Sequence, residues 1–378
     1  MALRVDRTPC IVGIGATPFG ALYRTADPER SAYELAADAF YAALRDGGLE
    51  KSAIDSVVVS RLPSYLKFCA DVGLRNLDYV NFQWGGGFQS GLALFEAANL
   101  IRAGQAEVVA CVYGNNGRSV KHSYGGLATP TSRYDDPYGM SSNGAYYAML
   151  FRRHQHEFGT PSEALAELAI SIRSYAAQNE DAVMRAPITR EDYFKAPFIA
   201  DPLRRLDYCM VNDGGVAYIV ATLERARNLK HAPVRVLSSA VAGAMSYFYG
   251  TEDCWYETLA GLGRRLFAGA DLRPSDIDIA QIYDNFTPAI VFGIEGIGIC
   301  ERGGAGSWIL AGNHTRTGAL PINTSGGHLS EAYMQGWALT VEAVRQLRGE
   351  AGPRQVSGCE IALDLSCTPI CSAHLLSR

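Results

Sequence analysis

Two stretches of this chain repeat the same order of sequence features, and this repeat is the strongest constraint on its fold. A segment with helical periodicity at Ser31–Asp46 leads through Leu49–Asp55 into an apolar, β-branched run. A second helical segment at Trp255–Ala268 leads through Leu272–Asp278 into another such run. The Leu, Ser, Ile and Asp positions of the two connections are separated by one constant offset. The repeat predicts two duplicated halves rich in βαβ units.

A further match supports the duplication. Val80 and Asn81 precede a glycine-rich turn at Gly85–Gly87, then a helix and a strand. Ile322 and Asn323 precede Gly326 and Gly327 in the same way. We place the junction near 222–233, which gives an N-terminal half at 1–230 and a C-terminal half at 231–378.

Alternation of apolar runs with helical periodicity predicts an α/β protein built in layers. The predicted strands are Cys10–Gly13, Ser56–Val59, Tyr79–Phe82, Glu107–Tyr113, Val216–Ala221, Val234–Ser239, Ile279–Tyr283 and Ile361–Leu365. The predicted helices are Ser31–Asp46, Gln89–Ala103, Asn143–Phe158, Pro161–Gln178, Trp255–Ala268 and Gln335–Leu347. A long insertion at about 115–205 is predicted to form a subdomain that lies over the site. Within it, residues 134–142 form either a lid or partner-facing surface, or a solvated loop without a role.

Composition narrows the range of partners. The net charge is −5 and no run of Lys or Arg forms a basic stripe, so nucleic acid is not an expected partner. No stretch of 18 uninterrupted apolar residues and no apolar signal core are present, so we expect no membrane contact and a cytoplasmic protein. We interpret the nine cysteines as free thiols. Cys367 and Cys371 have no second cysteine pair or histidine at zinc-site spacing, so we expect no metal site.

Several motifs together resemble the sterol-carrier-protein type of thiolase. They are Ile11–Gly20, Asp213–Gly215, Tyr283–Thr287 and Asn323–Met334. The resemblance covers the chain from about residue 10 to its end. It implies a thiolase fold of two mirrored halves in a layered α-β-α-β-α core with an inserted loop domain. It also implies a homodimer that acts on acyl-CoA thioesters.

The resemblance also marks what has changed. Tyr283 and Asn285 stand where the family carries a reactive His and Cys, and Tyr333 stands where it carries another His. Phe88 occupies the place of the acylated cysteine. Without that nucleophile and both histidines, acyl transfer loses its covalent acceptor and its bases. A retro-aldol cleavage needs neither a covalent intermediate nor a thiolate.

We therefore predict that Tyr283 and Tyr333 are an acid/base pair, with their order left open. Because an ordinary phenol has a pKa of about 10, the base must be assisted electrostatically or act through a shared hydrogen bond. Candidate assisting residues are His328, Asn285, Asp284 and Cys367. The alternatives are packing residues for Tyr283 and Tyr333, a satisfied loop histidine for His328, an orienting carboxylate for Asp284 and a strand-packing thiol for Cys367.

Substrate contacts are predicted at both glycine-rich turns. The candidate substrate-binding residues are Gly86, Gly87, Gln89, Ser90, Gly326 and Gly327. Glycines let the backbone approach closely and leave amide N–H groups free for a thioester oxygen, although a plain tight turn explains them equally well. Ser90 is the only hydroxyl nearby, and no His is adjacent in the sequence to activate it.

The Tyr-for-His pattern is similar to that of the retro-aldolases of bacterial steroid side-chain degradation. This resemblance implies cleavage of a β-hydroxyacyl-CoA to a ketone and a short acyl-CoA, with no cofactor apart from the CoA of the substrate. It also implies a small partner protein with a zinc-ribbon and OB-like fold. Two alternatives stay open: an acyltransferase that uses Ser90, Cys367 or direct thiol attack, and a non-catalytic acyl-CoA-binding subunit of a hydratase complex.

Overall fold

The computed structural model describes residues 6–84, 86–87, 89–122, 142–243, 254–368 and 370–378. Its strands are β1 (Pro9–Ala16), β2 (Ser56–Ser60), β3 (Tyr79–Gln83), β4 (Val108–Asn115), β5 (Phe198–Ala200), β6 (Leu203–Arg204), β7 (Gly214–Thr222), β8 (Val234–Gly243), β9 (Ile279–Ile282), β10 (Ile361–Ser366) and β11 (Ile370–Ser377). Its helices are α1 (Phe19–Arg24), α2 (Ala32–Gly47), α3 (Tyr65–Val72), α4 (Gln89–Ala103), α5 (Asn143–Phe158), α6 (Ser162–Ala177), α7 (Arg190–Lys195), α8 (Leu223–Ala226), α9 (Cys254–Ala268), α10 (Thr287–Gly296), α11 (Ala305–Leu310) and α12 (Trp337–Arg348).

The main sheet has nine strands and shows the duplication in its order. The order is β3-β2-β4-β7-β1-β8-β11-β10-β9, and β1 pairs with β8 only through Cys10 and Ile11. Read outward from that junction, each side has two antiparallel pairings followed by a parallel one. On each side a further parallel pairing lies at the edge, as β3 beside β2 and as an Ala280–Ile322 bridge beside β9.

The repeated connections also make the same contacts. The Asp55 carboxylate accepts from the backbone N–H groups of Glu107 and Val108, at 2.8 and 3.0 Å. The Asp278 carboxylate accepts from those of Glu360 and Ile361, both at 2.8 Å. The sequence repeat therefore corresponds to a structural repeat. The domain boundary at residue 230 stays a prediction, because the sheet continues from one half into the other.

The layers follow from which helix faces are apolar. Helix α2 begins at a capping box between Ser31 and Glu34 and covers the outside of β1, β4 and β7. Helix α9 covers β8 and β11 on the other side. Helices α4 and α12 pack against strands of both halves and share one apolar core with them. The two halves of the sheet thus form the two β layers, with α2 and α9 on their outer faces and α4 and α12 between them. This is the expected α-β-α-β-α arrangement.

The insertion between β4 and β7 carries α5, α6, α7 and the β5-β6 hairpin. Its α6 packs against a short π-helix at Gly327–Glu331, and its α5 contacts α10. The insertion is therefore a folded subdomain over the second glycine-rich turn. Residues 123–141, which include 134–141 of the predicted lid, lie outside the described residues.

The predicted strands and helices are confirmed, with ends displaced by at most four residues. Among the elements of eight residues or more, α3, α10 and β11 were not predicted. Helix α10 is buried at every residue and carries β-branched side chains, so it shows no helical periodicity, although Pro288 in its first turn favours a helix start. Strand β11 is almost wholly buried and therefore shows no alternation. In the described part of the chain, no helix is long and apolar enough to span a bilayer.

Candidate active site

Two phenols meet at the boundary between the two central helices and the sheet. The hydroxyl oxygens of Tyr283 and Tyr333 lie 2.9 Å apart, within hydrogen-bond distance. Tyr283 follows the last residue of β9 and is 1% exposed, whereas Tyr333 lies in the loop before α12 and is partly buried. The structure thus brings the two predicted acid/base residues together.

The position of Tyr283 is fixed by the motif loop beside it. The Asn323 carboxamide accepts from the Ile282 backbone N–H at 2.7 Å and donates to the Ile282 carbonyl at 2.8 Å. This side chain extends the pairing of β9 by one residue and holds the strand end where Tyr283 begins. Asn323 itself adopts φ 52°, a left-handed conformation that asparagine tolerates better than most residues.

The position of Tyr333 is fixed from the N-terminal half. Its backbone N–H donates to the Asn212 side-chain oxygen at 2.7 Å, and Asn212 is fully buried. The Asn212 carbonyl accepts in turn from the Asn115 carboxamide at the end of β4, at 2.9 Å. Tyr333 therefore depends on residues that lie far away in the sequence.

His328 has both ring nitrogens engaged. Nε2 accepts from the Gly336 backbone N–H at 2.9 Å, so the single proton of a neutral ring lies on Nδ1. Nδ1 lies 3.0 Å from the Asp284 carboxylate, to which its proton is donated, and 3.3 Å from the Asp284 backbone nitrogen. The ring packs edge-on against Tyr283 and Tyr333, with centroids 4.5 and 5.3 Å away. These contacts make His328 a support for the two phenols, with no ring nitrogen left for a substrate.

Asp284 is fully buried and holds the same loop. Its carboxylate accepts from the backbone N–H groups of His328 and Leu329, at 2.8 and 3.4 Å. A Cβ on Gly327 would lie 2.3 Å from this carboxylate, so only glycine fits there. A Cβ on Gly326, at φ 109°, would lie 2.6 Å from the Cβ of Ala176 in α6. Both glycines therefore have packing reasons, and their substrate role stays a prediction.

The start of α4 faces the same phenols. A Cβ on Gly87 would lie 1.8 Å from the Tyr283 hydroxyl, and one on Gly336 would lie 2.2 Å from Ser90 Oγ. Gly86 accepts at its carbonyl from the Gln89 backbone N–H, at 3.4 Å. Gly85 and Phe88 lie outside the described residues. The turns that lead into α4 and α12 thus converge on Tyr283, where Gly87 and Gly336 present backbone without a side chain.

Ser90 and Gln89 are buried, at 2% and 0% exposure. The Ser90 carbonyl accepts from the Tyr218 hydroxyl at 2.8 Å, and the Gln89 carboxamide donates to the Gln83 carbonyl at 3.3 Å. These contacts anchor the first turn of α4 to β7 and to the end of β3. They give Ser90 a structural reason to be present, and its nucleophilic role stays untested.

Asn285 and Cys367 lie on the side of the insertion. The Asn285 side chain accepts from the Phe286 N–H at 3.1 Å, and the Cys367 carbonyl accepts from the Tyr147 hydroxyl at 3.0 Å. Burial raises the pKa of the Cys367 thiol well above its ordinary value, which disfavours a thiolate.

Burial also decides the protonation of the two phenols. It raises the pKa of Tyr283 well above the ordinary value, and the neighbouring Tyr333 raises it further. Burial likewise raises the pKa of Tyr333, while Tyr283, Gln335 and the Arg61 cation oppose that rise. Both phenols are therefore neutral near pH 7, and the Arg61 cation acts on Tyr333.

Several residues of the site were not predicted from the sequence: Arg61, Tyr147, Cys209, Asn212 and Gln335. Tyr147 and Cys209 lie close enough to the pair for their charge to act on Tyr283. Asn212 directly precedes the Asp213–Gly215 motif, which was the available signal. The other residues lie in no motif, and only the fold brings them here. Among the described residues, no cluster of His, Cys, Asp and Glu has the arrangement of a metal site.

Comparison with known proteins places this arrangement among thiolase-like enzymes. Residues 243–377 match the family described as thiolase C-terminal domain-like. The chain is 36% identical over 357 residues to the steroid side-chain-cleaving aldolase of Thermomonospora curvata, which covers 90% of each chain. It is 34% identical over 385 residues to the 17-hydroxy-3-oxo-4-pregnene-20-carboxyl-CoA lyase of Mycobacterium tuberculosis, which covers 97% of this chain and 98% of that one.

A solved structure extends the comparison to three dimensions. The Ltp2-ChsH2(DUF35) aldolase superposes with a TM-score of 0.89 and 32% identity, over 99% of each chain. The whole chain therefore shares one fold with this aldolase.

Proposed function

The chain belongs to the thiolase-like family that includes the steroid side-chain-cleaving aldolase of Thermomonospora curvata, and we propose that it cleaves a β-hydroxyacyl-CoA by a retro-aldol reaction. It is a carbon–carbon lyase of that family. The products are a ketone and a short acyl-CoA. The observation that carries the proposed chemistry is the 2.9 Å contact between the Tyr283 and Tyr333 hydroxyls.

A pair of neutral phenols suits this reaction because the reaction neither consumes nor releases a proton overall. One proton leaves the β-hydroxyl and one proton must reach the α-carbon. Since burial favours the neutral form of both phenols, a pair whose total charge never changes avoids a buried phenolate. The hydrogen bond between the two oxygens supplies the path between them.

The steps balance as follows. As the Cα–Cβ bond breaks, the β-hydroxyl gives its proton to one phenol oxygen, and that phenol passes its own proton across the 2.9 Å contact to the other phenol. The β-carbon becomes a ketone, and the electron pair of the broken bond moves to the α-carbon, where the thioester carbonyl shares it as a developing enolate. The second phenol gives its own proton to the α-carbon in the same relay, so each phenol gains one proton and loses one. No cofactor enters apart from the CoA of the substrate.

The enolate needs donors near its oxygen. The turn that leads into α4 lies close to Tyr283, since Gly87 presents backbone without a side chain to that hydroxyl. Unpaired backbone N–H groups at a helix start favour negative charge, so this turn is suited to the developing oxyanion. Gly86 and Gly87 are the proposed contacts.

The relatives support a substrate class. One is named for cleaving a steroid side chain and another for a pregnene carboxyl-CoA. We extend this to a CoA thioester on the side chain of a steroid or a similar polycyclic acid. By analogy with the Ltp2-ChsH2(DUF35) assembly, we also expect a small partner protein with a zinc-ribbon and OB-like fold, and a complex that works in the cytoplasm.

A second copy of this chain is the other proposed partner. Strand β3 is an edge of the main sheet, and all five of its residues are at least partly exposed. Phe82 and Trp84 are 38% and 63% exposed, beside a groove of about 630 Å³ that runs along α4. A free edge with exposed aromatic side chains favours pairing with another strand. We propose that β3 joins two copies of this chain into a homodimer.

The decisive experiment offers the purified protein, alone and with its candidate partner, matched β-hydroxyacyl-CoA and β-ketoacyl-CoA substrates. Release of ketone and short acyl-CoA from the hydroxy substrate, without added CoA, is the expected result. Cleavage of only the keto substrate, with CoA consumed or a covalent acyl adduct, would identify an acyltransferase. Tight binding of both substrates with turnover of neither would identify a non-catalytic subunit.

A further inference from the structure

Gln335 holds a strained place beside the phenol pair. It lies two residues after Tyr333 and directly before Gly336, and its side chain is only 4% exposed. Its backbone φ is 48°, in the left-handed region that favours glycine. A residue with a side chain persists in such a conformation only when its surroundings hold it there.

The two ends of the Gln335 carboxamide differ in their surroundings. The side chain opposes the rise in the pKa of the Tyr333 phenol, as a hydrogen-bond donor to that phenol does. Its carbonyl oxygen, Oε1, is buried and has no hydrogen-bond partner among the residues that the structure describes. Such a buried acceptor costs free energy unless a donor reaches it, and an arriving ligand is the natural source of that donor.

The proposed substrate restricts which donor this is, so the inference rests on the proposed function. Close to the reacting thioester, an acyl-CoA has two groups that can donate a hydrogen bond. One is the β-hydroxyl, whose proton passes to a phenol in the cleavage. The other is the amide N–H of the CoA arm, three bonds from the sulfur. We infer that Gln335 Oε1 accepts a hydrogen bond from this amide N–H and so sets the position of the thioester against Tyr333.

Two short thioesters of the same β-hydroxy acid test this contact. The N-acetylcysteamine thioester keeps the N–H, and the S-(4-oxopentyl) thioester replaces that N–H by CH₂ and keeps the carbonyl. We expect wild-type kcat/KM to favour the first about 10- to 100-fold, as one buried hydrogen bond requires. Gln335→Met and Gln335→Leu should lower this ratio to about 1. Gln105→Met, at an exposed glutamine beyond the far end of α4, should keep the wild-type ratio.

The ratio is internal to each enzyme, so it does not depend on how much of a variant folds. A wild-type ratio near 1, cleavage of neither short thioester, or an undiminished ratio in Gln335→Met would overturn the inference. The parent β-hydroxyacyl-CoA is assayed in parallel. If wild type leaves that compound intact with its partner present, the proposed function fails and the inference falls with it.

Discussion

The hydroxyls of Tyr283 and Tyr333 lie 2.9 Å apart although 50 residues separate the two tyrosines in the chain. Tyr283 is delivered by the end of β9, and Tyr333 by a loop tied through Asn212 to the N-terminal half. The contact between the two hydroxyls therefore depends on how both halves pack. A thiolase-like scaffold that keeps this geometry can move protons without a thiolate.

Tyr283→Phe and Tyr333→Phe should each lower kcat about 10²- to 10⁴-fold, because each removes one member of the proton path. Far-UV circular dichroism and the unfolding midpoint should stay close to wild type. Tyr175→Phe is the matched control, since Tyr175 is 1% exposed and its hydroxyl has no partner among the described residues. Near-wild-type rates in both site variants would remove the phenols from the mechanism.

Cys367→Ala should keep most of the activity. Burial raises the pKa of this thiol well above its ordinary value, so a nucleophilic thiolate is disfavoured. Cys69→Ala, at another buried thiol on α3, serves as the comparison in the same cleavage assay. Mass-spectrometric detection of an acyl group on Cys367 during turnover would contradict this expectation.

His328→Ala should destabilise the fold. The change leaves the Gly336 N–H and the Asp284 carboxylate without the ring that bonds them, and a buried unsatisfied group costs about 1–3 kcal/mol. Urea unfolding measures the effect, and His156→Ala at an exposed position of α5 should change the free energy of unfolding little. Unchanged stability in His328→Ala would mean that the ring does not support the loop.

Asp364 should make the protein less stable as pH rises. Burial raises the pKa of its carboxyl from 3.8 to about 7, so the folded state holds a proton that the unfolded state has already lost. Its contribution to stability is therefore greatest below about pH 3.8, declines as pH rises, and levels off above about pH 7. Asp364→Asn should make the decline in the free energy of unfolding between pH 5 and pH 8 shallower, as measured by urea unfolding, because Asp207 and Glu331 have raised pKa values of the same direction. An identical pH dependence in wild type and variant would refute the assignment.

Trp84→Glu should convert the proposed homodimer to a monomer, because it places charge on the exposed edge beside β3. Sedimentation velocity measures the mass directly. Leu310→Glu, at another exposed apolar residue on α11 that is 47% exposed, should leave the mass unchanged. A wild-type protein that sediments as a monomer at all concentrations would reject the dimer itself.

Much of the fold was predictable because its elements carry local signals. The helices α4 and α5 were predicted to the residue, and α5 buries one face, which its helical periodicity marks in the sequence. The repeat was predictable because Asp55 and Asp278 have the same backbone partners to satisfy. Helix α10 and strand β11 escaped prediction because burial on all sides erases periodicity.

Some residues of the candidate site could likewise be predicted from the sequence, and others could not. Tyr283, Tyr333, Asp284 and His328 were found because the motifs that contain them resemble those of a known family. Asn212 and Arg61 were not found, because their importance lies in contacts with Tyr333, which is far away in the chain. Gln335 was not found, because it directly follows a motif without belonging to it. The ring orientation of His328 also depends on Gly336 and Asp284 together.

By itself, the sequence determined the succession of helices and strands, the duplication, and the replacement of family histidines by Tyr283 and Tyr333, since these features depend on local residue patterns. Only the tertiary structure decided that the two phenols touch, that both are kept neutral, and that a buried carboxamide oxygen beside them has no partner. Those properties arise from burial and long-range packing, which depend on distances between segments and not on their order in the chain.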